Sequence, residues 1–230
     1  MIGFLCGLLL GCLSLYYFIS RVMYYGERLN SITHLVGAVL ALIGFGVLLT
    51  LAMQENNWRI LVSFTIFGFT LVLLYSMSTL YHSLHSPKLK KIFQKLDHIS
   101  IYLLIAGTYT PYMLVSLENN NGLLMLIIVW GLAIIGLLVD MLVSKRIEWL
   151  QVSIYLLMGW ICLFNYSQFQ AAIPAAGMIW LTVGGIAYTA GILFYILDTL
   201  NKLTHAHGIW HLFVLSGSIC HFISIAGYVR

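Results

Sequence analysis

Charged side chains are scarce in this sequence. Lys, Arg, Asp and Glu make up 8% of the 230 residues, and hydrophobic residues make up 61%. An ordinary soluble domain contains about 25% charged residues. So few charges exclude a water-soluble fold, and the length leaves no room for a separate soluble domain beside the apolar segments.

Cysteine is also infrequent, and its placement excludes two classes of protein. Cys6, Cys12, Cys162 and Cys220 all lie within apolar stretches. They have neither the CxxC spacing of a thiolate metal site nor the loop placement of a disulfide framework. The formal net charge of +4 is small and spread over short loops, so we expect no nucleic-acid partner.

Long apolar runs fill most of the chain. About 20 apolar residues make one membrane crossing, and division at charged residues, Pro and Asn predicts seven core helices. These lie near residues 31–53, 60–85, 98–117, 122–143, 148–167, 175–197 and 206–228. Residues 2–20 form a further run without the basic region and cleavage site of a signal peptide. The predicted fold is an all-α polytopic bundle: an extra N-terminal helix within residues 1–25 and a seven-helix membrane domain over residues 26–230.

The charges of the loops alternate along the chain and predict an orientation. The basic loops contain Arg21 and Arg28, then Lys88, Lys90, Lys91 and Lys95, then Lys145 and Arg146, then Lys202. The opposite loops are neutral or acidic. Because basic loops remain in the cytoplasm, we expect a multi-pass plasma-membrane protein whose core has a cytoplasmic N-terminus and an external C-terminus.

Ionisable side chains within the predicted helices cluster at one end of the bundle. Each costs roughly 2.5 kcal/mol or more to insert, so their positions are informative. His82 ends the second predicted helix, Asp97 begins the third, and His207 and His211 begin the seventh. All four fall at predicted cytoplasmic ends and therefore at one membrane depth.

The spacing of these residues is typical of a metal site. His207 and His211 are four residues apart and so share a helical face, as do Ser78 and His82. Three imidazoles with one open position form the ligand set of a catalytic zinc, with Asp97 holding or deprotonating its water or orienting a ligand. Two alternatives stay open: the histidines are structural and hydrogen-bonded, or they bind copper, nickel or iron.

Two further features carry ionisable side chains. Glu27, Asn30 and His34 share one face before and within the first core helix, where they either support the metal ligands and a proton path or cap and anchor the helix. His221 lies about 15 Å beyond His211 along its helix. It cannot share a metal with His211, and we expect a buried hydrogen-bonded histidine or, as the alternative, a member of a proton relay.

Three motifs in this order resemble those of the hemolysin III family, within the progestin and adipoQ receptor superfamily. They are Glu27-x-x-Asn30-x-x-x-His34, Ser78-x-x-x-His82 followed by Asp97-His98, and His207-x-x-x-His211. The resemblance covers residues 26–228, and residues 2–20 depart from it. It implies seven helices with a cytoplasmic N-terminus, zinc held by His82, His207 and His211, and Ser78 and Asp97 near the zinc and its water.

Three functions remain as hypotheses. The first is a zinc-dependent hydrolase of membrane lipid with Asp97 and Ser78 as catalytic residues, which the family's distant resemblance to alkaline ceramidases favours for an amide or ester bond. The second is a non-enzymatic protein with a structural metal, acting in membrane homeostasis, as a receptor or as a cytolytic pore. The third is a proton-coupled transporter, which the crowding of ionisable groups at one end disfavours.

Overall fold

The computed structural model describes residues 23–24, 26–118, 121–143 and 147–229 of the chain. These residues form helices and short connections. The helices are α1 (Arg28–Gln54), α2 (Trp58–Ser83), α3 (Pro87–Pro111), α4 (Gly122–Leu142), α5 (Glu148–Trp160), α6 (Tyr166–Ala172), α7 (Ala175–Thr199) and α8 (Ala206–Tyr228). The predicted extra helix at residues 2–20 lies outside the described residues.

Seven helical segments of the described chain are long and apolar enough to cross a membrane. Two of them are composite. A π-helical turn, Tyr112–Ser116, extends α3, and a 3₁₀ segment, Ile161–Asn165, joins α5 to α6 as one span. Pro111 lies at the junction with the π turn, where its missing N–H interrupts the α-helical ladder. The seven segments match the seven predicted core helices and confirm the all-α membrane fold.

The third helix begins 11 residues earlier than predicted, at Pro87 and not near residue 98. The four lysines that suggested a loop lie instead on the first turns of α3, which Ser86 and Pro87 initiate. Asp97 therefore lies inside α3 and does not begin it. Because these turns place their charged face outward, the helix continues where hydropathy alone would end it.

Successive membrane-spanning helices run in opposite directions, which brings one set of helix ends together. The N-terminal ends of α1, α3 and α8 lie with the C-terminal ends of α2 and α7, as the contacts of Glu27 with Lys90 and His82 and of His207 with Asp198 show. We call this the basic end, because α3 contributes Lys88, Lys90, Lys91 and Lys95 there. At the opposite end, Arg59 forms an ion pair with Glu118 at 2.7 Å.

Aromatic side chains and glycines bring the helices close together. The rings of Tyr75 and Tyr102 are fully buried and lie directly against Gly37 and Gly136, respectively. Small residues at such crossings allow membrane helices to approach closely. The tightest packing joins α1, α2 and α3 and separately α7 and α8, whereas α5, α6 and α7 expose most of their side chains.

Candidate metal centre

Three histidines from two helices meet at the basic end. One ring nitrogen of each of His82, His207 and His211 lies within 4.8 Å of the others. The ring centroids are 5.0 Å apart for His82 and His207, 4.9 Å for His82 and His211, and 4.8 Å for His207 and His211. His82 and His211 are buried and His207 is partly buried. We call these three residues the histidine cluster.

Carboxylates hold two of the three rings. His82 Nδ1 donates to Glu27 Oε2 at 2.7 Å, and His207 Nδ1 donates to Asp198 Oδ2 at 3.0 Å. A carboxylate accepts only from a protonated nitrogen, so both rings carry their proton on Nδ1. This fixed tautomer leaves each Nε2 lone pair available to a metal, the arrangement found when histidine ligands are supported by carboxylates.

The backbone of α1 holds the third ring. His211 Nδ1 lies 3.2 Å from the Asn30 carbonyl oxygen and 3.2 Å from Thr33 Oγ1. Thr33 Oγ1 itself donates to the carbonyls of Leu29 and Asn30, so it accepts from His211. The ring is therefore protonated on Nδ1, as the other two rings are.

The remaining ring nitrogens of the cluster fit a metal ion. His82 Nε2 and His211 Nε2 are fully buried and have no hydrogen-bond partner among the described residues. A buried polar atom without a partner costs about 1–3 kcal/mol. Coordination of a cation would satisfy both nitrogens at once, so the three residues can hold a metal through Nε2.

Glu27 supports the cluster and does not cap α1. It precedes Arg28, but its side chain makes no capping hydrogen bond; it binds His82 and accepts from Lys90 Nζ at 2.9 Å. Partial burial alone would raise the pKa of the Glu27 carboxyl, but the hydrogen bonds from His82 and Lys90, together with the positive charge of Lys90, outweigh this effect and lower the pKa. The carboxylate is therefore ionised at neutral pH.

His34 completes the set predicted on the first helix face. Its ring stacks on that of His211, with centroids 3.5 Å apart and planes 10° apart, and it meets the ring edge of Tyr75 at 5.0 Å. Both of its nitrogens are buried without a hydrogen-bond partner among the described residues. Glu27, Asn30 and His34 thus all contact the histidine cluster.

Ser78 and Asp97 lie near the cluster but outside the group of close nitrogens. Ser78 is fully buried one turn before His82 on α2, and its hydroxyl has no hydrogen-bond partner among the described residues. Asp97 is buried on α3 and lines a cavity with His34 and Trp210. The ring of Trp210 contacts those of His207 and His211 at 5.0 and 5.5 Å. The catalytic roles of Ser78 and Asp97 remain predictions.

The cavity that Asp97 lines is long, narrow and mostly apolar. Its volume is about 140 Å³, and α3, α5, α7 and α8 supply most of its wall. Its length follows α3 from Asp97 to Tyr109, about 18 Å at the rise of an α-helix. A second cavity of about 130 Å³ adjoins it and shares Tyr109, Trp160 and His221 with it. We call the first of these the acyl cavity.

His221 is partly buried and makes the hydrogen bond that was expected of it. It lies far from the histidine cluster, at the junction of the two cavities. Its Nε2 donates to the carbonyl oxygen of Leu181 at 3.1 Å, and its ring contacts that of Tyr188 at 5.4 Å. The imidazole therefore joins α8 to α7.

Two residues of the site were missed by sequence reasoning. Asp198, which orients His207, ends a membrane span at the same depth as the histidines, so the rule that placed Asp97 there would also have found it. Thr33 gives no such signal, because threonines within helices commonly bond to their own backbone. Its contact with His211 follows only from the packing of α1 on α8.

Comparison with known proteins now gives the family. The sequence model of the family described as "Haemolysin-III related" matches residues 22–222. The chain belongs to this family. The match includes every residue of the histidine cluster and the three motifs around it, and it confirms the family predicted from those motifs.

Named relatives extend over almost the whole chain. Hemolysin-3 of Bacillus cereus is 39% identical over 203 residues, covering 88% of this chain and 91% of the relative. The Hemolysin-3 homolog of Bacillus subtilis (strain 168) is 40% identical over 202 residues, covering 88% and 93%. The human monocyte to macrophage differentiation factor is 26% identical over 210 residues, covering 89% and 85%, which supports the wider progestin and adipoQ receptor superfamily. No solved structure matches the chain.

Proposed function

We propose that this member of the haemolysin III-related family is a zinc-dependent hydrolase that cleaves an amide or ester bond of a membrane lipid. One observation carries the proposal. Three imidazoles, each held at Nδ1 by a separate acceptor, meet beside an apolar cavity whose wall includes a buried carboxylate, Asp97. A candidate metal site and an elongated apolar cavity therefore lie next to each other.

The donor set suits zinc. Three neutral imidazoles are the protein ligands of a catalytic zinc that keeps its fourth position open, and we prefer zinc to other imidazole-binding metals because the family motifs imply it. His82, His207 and His211 would hold the ion. Bound zinc supplies Lewis acidity toward a carbonyl oxygen and lowers the pKa of water to about 7.

The remaining polar groups have defined tasks in this proposal. The Asp97 carboxylate takes a proton from the attacking water and returns it to the leaving amine or alkoxide as the bond breaks. The Ser78 hydroxyl, which has no protein partner among the described residues, hydrogen-bonds the water or the carbonyl oxygen. Glu27 and Asp198 keep two of the ligand rings in their orientation throughout.

The shape of the acyl cavity supports a lipid substrate. Its wall is mostly aliphatic and aromatic, with Asp97 and His34 toward the basic end, so a hydrocarbon chain can lie along it while its polar linkage remains near the histidines. The span that flanks the cavity packs loosely, and its Trp160 Nε1 donates to Thr189 Oγ1 of α7 at 3.0 Å. Entry from the bilayer between α5 and α7 would require breaking that hydrogen bond.

The test is release of a fatty acid from defined lipids by the zinc-loaded protein in detergent. Ceramides, N-acyl phospholipids and diacylglycerols cover amide and ester linkages. We expect mass spectrometry to detect turnover of at least one class with wild-type protein and none with His82→Ala. Absence of turnover across all classes by a protein that retains zinc would contradict the hydrolase function.

A second function is favoured by the relatives' printed names. Two are called Hemolysin-3 or its homolog and are about 40% identical to this chain, so the alternative is a cytolytic or otherwise non-enzymatic membrane protein with a structural metal. Release of a trapped dye from liposomes tests it. Dye release that is equal with and without zinc, together with no hydrolysis, would favour this alternative.

We also propose the plasma membrane as the location, with the core N-terminus in the cytoplasm. The lysines of the basic end support this orientation because basic loops remain inside. A reporter fused after residue 228 is expected to lie outside the cell. Activity of that reporter on the cytoplasmic side would contradict the orientation.

A further inference from the structure

A third cavity lies at the basic end, between α3, α4 and α5. Its volume is about 320 Å³, larger than either cavity described above. It shares no lining residue with the acyl cavity and contains no residue of the histidine cluster. We call it the lysine cavity, after Lys91 and Lys95 in its wall.

One wall of the lysine cavity is polar and basic. Lys91, Gln94, Lys95 and His98 line it from α3, where their spacing places them on one helical face. Both lysines are exposed. Neither lysine forms an ion pair with a carboxylate of residues 26–118, 121–143 or 147–229. The neighbouring Lys90, in contrast, is paired with Glu27. Two ammonium groups are therefore available to an anion.

The facing wall is apolar. It consists of branched aliphatic side chains from the end of α4 and the beginning of α5, namely Val139, Val143, Ile147, Leu150 and Ile154. A cavity with a basic wall and an aliphatic wall suits an amphipathic anion better than a free inorganic one. A phospholipid has this form, with its phosphate beside its glycerol and the first carbons of its acyl chains.

One carboxylate, that of Asp140, also lines the cavity. It forms no ion pair with Lys91 or Lys95 in the part of the chain that the structure describes. Asp140 Oδ2 accepts from Gln151 Nε2 at 2.6 Å. The ring of Tyr102 lies against Gly136, and this antiparallel register places Asp140 level with His98. Lys91 lies about 10 Å nearer the start of α3, at 1.5 Å per residue. Lys91 and Lys95 therefore both lie nearer the start of α3 than the carboxylate does.

The lysine cavity is separate from the proposed hydrolytic site. Asp97 lines the acyl cavity and the adjacent His98 lines the lysine cavity, so α3 separates the two. The rings of Tyr102 and Tyr155 pack together at 4.6 Å, one lining each cavity, and Tyr155 Oη donates to the His98 carbonyl oxygen at 3.2 Å. A ligand can therefore occupy one cavity without entering the other.

We propose that the lysine cavity binds the phosphate of an anionic phospholipid headgroup. Lys91 and Lys95 contact the phosphate, and the aliphatic wall covers the glycerol and the first acyl carbons. Basic pockets between membrane helices at the cytoplasmic side bind anionic headgroups for the same electrostatic reason. The inference does not depend on hydrolysis or on zinc.

The experiment measures lipid retention by native mass spectrometry of the purified full chain. Phosphatidylglycerol is compared with phosphatidylcholine for wild type, for Lys91→Gln/Lys95→Gln, and for Lys88→Gln/Lys202→Gln. The last variant removes the same charge from exposed positions that do not line the cavity. We expect phosphatidylglycerol affinity to fall at least five-fold in the first variant and to stay within two-fold of wild type in the control.

Two further measurements distinguish a lipid site from a site for free phosphate. Leu150→Trp fills the cavity without changing its charge, and we expect it also to lower phosphatidylglycerol affinity. Soluble glycerol phosphate is expected to compete only weakly; displacement of the lipid at comparable concentrations would indicate a phosphate site in place of a lipid site. Equal losses in both double variants, or no loss in either, would overturn the proposal, and an unchanged thermal unfolding midpoint verifies that the variants are folded.

Discussion

His82 Nδ1 lies 2.7 Å from Glu27 Oε2, so the last turn of α2 is fixed to the residue that precedes α1. Asp198 holds His207 from α7 in the same way at 3.0 Å. Both carboxylates bind Nδ1, so Nε2 is the nitrogen of each ring that remains for a metal ion. The candidate metal centre therefore depends on four helices, although only α2 and α8 carry its proposed ligands.

Metal content tests the centre directly. We expect the detergent-purified protein to contain about one zinc per chain, as a three-histidine site would, and the His207→Ala/His211→Ala variant to contain almost none. Elemental analysis by mass spectrometry makes the measurement. A His205→Ala/His85→Ala variant is the control, because neither of these histidines belongs to the cluster. Equal metal in all three proteins would rule out this site.

The Glu27–His82 contact is expected to strengthen metal binding. Glu27→Gln retains a hydrogen-bond acceptor but removes the negative charge, and loss of such a carboxylate typically lowers metal affinity about 10- to 100-fold. Titration against a zinc chelator measures the change. Glu148→Gln, at the same end but outside the cluster, should leave affinity unchanged. Identical affinities of wild type and Glu27→Gln would show that the carboxylate has no role in zinc binding.

Glu27 also predicts a pH dependence of stability. Its pKa is lowered in the folded protein from an ordinary value of 4.5, so its contribution to stability is present above that value and is lost as the pH falls through the folded pKa. We expect the thermal unfolding midpoint of the metal-free protein to fall in acid, and to fall less in Glu27→Gln. Parallel midpoint curves for the two proteins would contradict this prediction.

Substitution of Asp97 is expected to lower turnover without removing the metal. If it acts as the general base, Asp97→Asn keeps the zinc but lowers kcat by about 100-fold or more, the usual contribution of such a group. Asp140→Asn is the matched control, because Asp140 lines the lysine cavity and not the acyl cavity. Full turnover by a zinc-loaded Asp97→Asn protein would exclude the proposed role.

Glycine packing between α7 and α8 gives a stability test. A methyl group at Gly184 would collide with the ring of His221, so Gly184→Ala is expected to destabilise the fold by about 1–3 kcal/mol. Gly131→Ala adds the same group where nothing lies within 4 Å and should be neutral or slightly stabilising. Thermal denaturation in detergent compares the two variants. Equal unfolding midpoints would mean that the His221 ring moves aside without loss of stability.

The sequence by itself determined the class of fold, the number of core spans and the residues of the cluster. Span length and charge content are local properties, and His207 and His211 share a face because of helical geometry alone. The start of α3 was predicted wrongly for a related reason. Local hydropathy ends a span at the first charges, whereas an amphipathic helix continues past the bilayer with its lysines in water.

Tertiary structure decided how the cluster is held and what lies around it. The Asn30 carbonyl oxygen binds a histidine 181 residues later in the chain, and Asp198, Thr33 and His34 meet the rings only through the packing of α1, α7 and α8. The acyl and lysine cavities likewise lie between helices that do not pack closely, some of which are distant from one another in sequence. Helical periodicity fixes the face on which a residue lies, but only packing fixes what that face contacts.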